Sequence, residues 1–165
     1  MKPQRRPSWR CAPTSSRSGP LAGGFDLAHL QAIHRYLFGD VYEWAGQLRT
    51  IDISKGGNAF AHHAYIATAA APIFAALARE KHLATPAPPA FNARAAHYLG
   101  EVNALHPFRE GNGRAQREFI SHLAHTNGYY IAWENVAPAE MLRASIEFFQ
   151  GDVSKLAAVT DAKRL

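Results

Sequence analysis

Apolar residues recur at three- and four-residue intervals along most of this chain, the spacing that lines one face of a helix. Leu27, Leu30, His34 and Leu37 form the first stripe, with Asp26 ahead of it as a cap and Gly39 beyond it as a stop. Ile66, Ala70, Ile73 and Leu77 form a second, interrupted by Pro72, which lacks an amide hydrogen and should kink or divide the helix at a cost of ~3 kcal/mol. Pro86, Pro88 and Pro89 then end it. Asn92 is placed to cap a third helix running toward Ala104, where Ala93, Ala96 and Gly100 let neighbouring helices come close. Ala115, Phe119, Leu123 and Ala124 mark a fourth, which stops at Asn127-Gly128. Leu142, Ile146 and Phe149 mark a fifth after Pro138, and a shorter helix follows Asp152. Only Leu48 to Ile53 alternates as a strand does. Lys55-Gly56-Gly57-Asn58 supplies turn chemistry and Ala59 to His62 returns, giving a short hairpin with one exposed edge. The pattern predicts a mostly α chain with one small hairpin and no internal repeat.

Composition adds limits to this picture. With 165 residues, 47% of them hydrophobic, the chain can bury one ordinary core, and one domain is expected. The longest mostly apolar run, Ala64 to Ala78, contains Tyr65, Thr68 and Pro72 and falls short of the ~20 residues a bilayer requires, so no membrane role is expected. Cys11 has no partner for an internal disulfide, which is compatible with a reducing compartment; the cytoplasm is the expected location. Residues 1–24 combine Pro, Ser, Arg and Gly with few aliphatics and read as a disordered basic tail without a secretory signal.

The formal charge of +5 raises nucleic-acid binding, but its distribution argues against it. Lys2, Arg5, Arg6, Arg10 and Arg17 all precede the first acidic residue, Asp26, and the remainder carries thirteen basic against thirteen acidic residues. Its body has no basic stripe interleaved with aromatics. No nucleic-acid partner is expected, and residues 25–165 read as the functional domain.

Chemistry concentrates in His106-Pro107-Phe108-Arg109-Glu110-Gly111-Asn112-Gly113-Arg114-Ala115-Gln116-Arg117. Gly111 and Gly113 let the backbone approach an anion, and a helix starting near Gly113 offers unpaired N–H groups, so the loop reads as a phosphate cradle. Arg114 and Arg117 lie three apart and share a side of that helix, aimed back at the cradle. His106 suits a general base, with an ordinary imidazole pKa of ~6.5, although most histidines are structural or exposed, as the other eight are expected to be. Glu110 suits a Mg²⁺ ion held by one carboxylate plus phosphate oxygens and water; the alternative is a salt bridge with Arg109 or Arg114. Asn112 either hydrogen-bonds a phosphate oxygen or closes the turn. Pro107 and Phe108 read as structural. His62 and His63 are adjacent, and no His or Cys pair has the spacing of a recognised zinc motif, so a transition-metal site is not expected.

The stretch from His106 to Arg117 resembles the Fic family motif, His-Pro-Phe-x-(Asp or Glu)-Gly-Asn-Gly-Arg-x-x-Arg, at every specified position. Phe38 to Gly46 and Ser54 to Phe60 are similar to the family's entry segment and its target-docking flap, and the resemblance covers about Phe25 to Gly151. It implies a Fic-like helical bundle with one β-hairpin flap, acting as a protein adenylyltransferase: AMP passes from the co-substrate ATP to a Ser, Thr or Tyr hydroxyl of a target protein. His106 would be the base and Glu110 the Mg²⁺ ligand, while Gly111, Asn112, Gly113, Arg114 and Arg117, with Lys55 and Gly56 of the flap, would bind nucleotide. Gly113 favours nucleotidyl transfer, because a kinase-like branch of the family tends to carry lysine there.

The target would add a strand to the edge of the 54–60 flap. Similar proteins usually carry a helix before the position matching Phe25, and no such periodic segment is visible here. Many are also blocked by a helix of the pattern (Ser or Thr)-x-x-x-Glu-(Gly or Asn). No Ser or Thr in this chain has Glu four residues on, so a toxin restrained by a separate small antitoxin-like protein is expected. Alternatives are Fic-type transfer of UMP, phosphocholine or phosphate, and a non-catalytic nucleotide-binding module.

Overall fold

A computed structural model describes residues 21–84 and 87–165. Most of the expected tail therefore lies outside the described residues, but Leu21 to Gly24 do not: the Leu21 carbonyl accepts from Nε2 of buried His29, and Leu21 packs against the core.

Six helices form the body: α1 (Leu27–Phe38), α2 (Ile66–Arg79), α3 (Pro88–Leu105), α4 (Asn112–Thr126), α5 (Pro138–Phe149) and α6 (Ser154–Val159). Asp26 caps α1 as expected, accepting from the His29 amide at 2.8 Å. Helix α2 runs through Pro72 undivided and ends at Arg79 well before the next prolines. Pro88 instead opens α3 at its first turn, where a missing N–H is harmless, and Asn92 lies inside that helix with its side-chain oxygen accepting from the Ala162 amide. Glu80 just past α2 ties it to α3 through Arg94 and Tyr98.

Strands β1 (Ser54–Lys55) and β2 (Asn58–Ala59) form the hairpin, with Lys55 opposite Asn58. Gly56 and Gly57 both take positive φ, 58° and 83°, which a two-residue turn of this hand needs. The expected strand over Leu48 to Ile53 does not form, because Arg49 is turned inward and organises that segment through its guanidinium rather than through a ladder. A second strand pair, β3 (Tyr129–Ile131) against β4 (Ala162–Arg164), has no counterpart in the sequence pattern; it is antiparallel and fastens residues 162–164 beside α3.

The core gathers Leu30 and Ile33 from α1, Phe74 and Leu77 from α2, Phe91, Ala95 and Leu99 from α3, and Ala115, Phe119 and Leu123 from α4. Gly100 permits close approach as expected, since a Cβ there would lie 2.3 Å from the Phe148 ring of α5. The residues that mark α5 in the sequence do not face the core: Leu142, Ile146 and Phe149 are exposed, and Ala144 with Phe148 and Met141 faces inward.

Candidate active site

The loop from His106 to Gly111 joins α3 to α4, and three buried contacts set its shape. Phe108, fully buried, stacks on the His34 ring with centroids 3.9 Å apart. His34 accepts from the Gly46 amide at Nδ1 and so donates from Nε2 to the Glu110 carbonyl at 2.9 Å. Asn112, also buried, accepts from the Phe108 amide and donates to its carbonyl. Its carboxamide thus closes the turn, the second of the two uses foreseen for it, and acts on any anion through the loop's form.

The clamp that sequence reasoning missed is Arg49. At 2% exposure, its guanidinium donates to the carbonyls of His106 (2.8 Å), Ile51 (2.7 Å) and Ala61, and its own amide donates to Pro107 at 2.9 Å. One buried cation therefore ties the foot of the hairpin to the start of the loop. Burial lowers its pKa, with nearby Asp52 opposing. An arginine at an inward position of an apparent strand was the only signal available, and it reads as a surface residue until the carbonyls around it are known.

His106 sits at the end of α3 in the left-handed region, φ 45° and ψ 62°. Its Nδ1 lies 3.2 Å from the Asn103 carbonyl, which accepts only, so the proton sits on Nδ1 and Nε2 keeps its lone pair. Phe60, just after β2, stacks on the imidazole with centroids 3.8 Å apart and planes at 15°. Burial pushes the His106 pKa down to about 4, helped by the charges of Arg49 and Lys55 and opposed by the Asn103 bond. At neutral pH the ring is an uncharged base. Lys55 stands on the exposed hairpin, close enough for its charge to be felt at His106, and Gly56 forms the tip.

The two loop glycines differ in why they are glycine. Gly111 has φ 78° and a Cβ there would lie 2.5 Å from the Phe38 ring, so the fold itself demands glycine. At Gly113 a Cβ would meet only Nη1 of Arg117, at 3.6 Å, leaving exposed space at the first turn of α4. No side chain caps that helix, so its leading N–H groups stay available for an anion.

The two arginines diverge more than their spacing predicts. Arg114 is exposed, with its guanidinium 4.9 Å from the Phe38 centroid, whereas Arg117 is half-buried and folds back toward Gly113. Burial first and the charge of Arg114 second lower the Arg117 pKa. Among the described residues Arg117 has no ion-pair or hydrogen-bond partner. It borders a cavity of about 60 Å³ with Asn103, Met141, Ser145 and Gln116, whose buried Nε2 is also unpartnered. Glu110 is exposed, and its carboxylate pairs with neither Arg109 nor Arg114; Arg109 lies over Trp44 instead, at 5.7 Å.

A base, a free carboxylate, an uncapped helix start and two cations thus meet in one loop, the set that phosphoryl-group chemistry uses. Comparison with known proteins gives the same direction. Residues 24–124 match the Fic/DOC family. The chain is 51% identical over 139 residues to the protein adenylyltransferase VbhT of Bartonella schoenbuchensis, covering 84% of this chain and 29% of that protein. It is 43% identical over 141 residues to a probable protein adenylyltransferase Fic of Salmonella typhimurium, covering 86% of this chain and 70% of that one. Among solved structures, BepC of Bartonella tribocorum with bound AMPPNP superposes with a TM-score of 0.84 at 25% identity, over 90% of this chain and 79% of that one. The type IV secretion effector BepA superposes with 0.80 at 31% identity, over 89% of this chain and 56% of that one. The chain belongs to the Fic/DOC family.

Proposed function

We propose that this chain is a protein adenylyltransferase, transferring AMP from ATP to a Ser, Thr or Tyr hydroxyl of a target protein. The observation that carries this reading is the state of His106: an uncharged ring, protonated on Nδ1, beside an uncapped glycine-lined helix start. Nε2 takes the hydroxyl proton as the oxygen attacks the α-phosphorus; the bond to the β-phosphate oxygen breaks and pyrophosphate leaves. The N–H groups of Asn112 and Gly113 hold phosphate oxygens, and Arg114 and Arg117 stabilise the charge on the leaving group. Glu110 fits a Mg²⁺ ligand because its carboxylate is unpaired and exposed at the loop; when bound, the ion neutralises phosphate charge.

Support comes also from relatives that bear the adenylyltransferase name and from the neighbour that holds AMPPNP. Lys55 and Gly56 contact nucleotide or target from the flap, whose edge adds the target's extended segment as a strand. Arg117 lacks an internal carboxylate partner among the described residues, and we assign that role to a glutamate of a separate antitoxin-like protein. Expression without such a partner should then arrest growth, and Arg117→Ala should relieve the arrest. The site of action is the cytoplasm, where ATP is supplied; no described helix is long and apolar enough to cross a membrane.

Incubating the chain with α-labelled ATP and lysate tests the activity: a protein band should take up label with the wild type and none with His106→Ala. Label retained by the variant refutes the assigned base. The mass added to the target separates AMP from UMP, phosphocholine or phosphate, and ATP binding without any labelling would favour a non-catalytic module.

A further inference from the structure

We propose that Asp52, His62 and His63 form a site for a zinc-type divalent metal that staples the two legs of the hairpin together. Asp52 lies two residues before β1, and His62 and His63 follow β2, so the chain's return brings together donors that look unrelated in sequence. Asp52 Oδ2 is 3.2 Å from His62 Nε2, and Oδ1 is 2.9 Å from His63 Nδ1. All three donor atoms lie within 4.8 Å of one another. Donors around tetrahedral zinc at ~2.0–2.1 Å stand roughly 3.3 Å apart; each histidine nitrogen already lies near that distance from one oxygen of the carboxylate, and a small rotation of the carboxylate and closure of the histidine pair bring one oxygen and both nitrogens to it. Two imidazoles and one carboxylate, with water in the fourth position, is a ligand set zinc accepts.

The carboxylate is already oriented, because Oδ1 also accepts from the His63 amide at 2.7 Å. The two rings stack with centroids 4.5 Å apart, presenting their nitrogens to the same carboxylate. The nearest opposing charge is Arg49, whose Nη1 is 3.8 Å from Oδ1 but is drawn inward by backbone carbonyls; Tyr65 flanks His62 at 5.5 Å. His62 Nδ1 accepts from the Ala64 amide at 3.2 Å, so ligation through Nε2 moves the ring proton to Nδ1 and gives up that bond, while His63 moves its proton to Nε2. Both rings stay neutral. The site is separate from Glu110 and its chemistry is softer: Mg²⁺ prefers an octahedron of oxygens.

Calorimetric titration of the full, tag-free chain with zinc chloride tests this, with hydrogen exchange of residues 54–60 as a second readout. One strong site is expected, weakened roughly 10-fold or more by Asp52→Asn and by the His62→Asn/His63→Asn pair, and unaffected by millimolar Mg²⁺. Zinc should slow exchange of the hairpin amides in the wild type and not in the variants. Circular dichroism confirms that each variant is folded, and Asp52→Ala with His62→Gln replaces any that is not. Absence of a strong site, equal affinity in the variants, or displacement by Mg²⁺ would overturn the proposal.

Discussion

The burial of His106 makes a proton-linked statement that can be measured. Its pKa of about 4 in the folded chain lies below the ~6.5 of an unfolded one, so the unfolded state binds more protons between those values. Stability is therefore full above pH 6.5 and falls as the pH drops toward 4, by up to about 3 kcal/mol from this group. Urea denaturation at neutral and acidic pH should show that slope, and His106→Asn should flatten it. The glycines offer a paired test. Gly111→Ala meets both a positive φ and the Phe38 ring and should lose about 1–3 kcal/mol. Gly113→Ala should stay within ~0.5 kcal/mol of the wild type, and, with that space serving the nucleotide as proposed, should bind ATP more weakly by calorimetry. Arg49→Met leaves the carbonyls of His106, Ile51 and Ala61 without a donor and should cost at least about 1–3 kcal/mol, with target labelling falling further than a remote variant of equal stability.

At the scale of elements, helices were legible where one face is buried and the other is not. Helix α1 shows this: Asp26 caps it, and Leu30, His34 and Phe38 turn inward. The signal failed where burial is not one-sided by sequence. On α5 the bulky Leu142, Ile146 and Phe149 point outward, while small Ala144 lies against the core at 1% exposure. Ala144→Leu should accordingly cost about 1–3 kcal/mol by thermal melting, whereas Leu142→Ser should cost less than ~0.5. The two-residue strands β1 and β2 carry too little pattern to be separated from their turn, and the β3–β4 pair joins segments about thirty residues apart, which no local periodicity reveals. Of the two outcomes expected at Pro72, a kink or a division, the division does not occur, because buried neighbours Ala70, Phe74 and Leu77 hold α2 together across it.

For the whole molecule, the motif made the candidate site legible, since its residues are contiguous from His106 to Arg117. What surrounds it was hidden because it arrives from distant segments: His34 from α1, Arg49 and Phe60 from either side of the hairpin, and the carboxylate that meets His62 and His63. The Fic/DOC assignment extends over residues 24–124, and α5 and α6 beyond it complete the wall of the cavity beside Arg117 through Met141, Ser145 and Leu156.

Phe60 gives this arrangement a further meaning, for the ring that shades the imidazole travels with the hairpin. A polypeptide laid along that edge and lifting it would admit water to the nitrogen and strengthen its appetite for a proton at the moment a hydroxyl is delivered. On the proposed reading, the undocked chain would hold the weaker base, and docking of the target would complete it. Phe60→Ala should imitate that arrival, shifting the His106 titration midpoint upward in proton NMR; an unmoved midpoint would sever the link between docking and basicity.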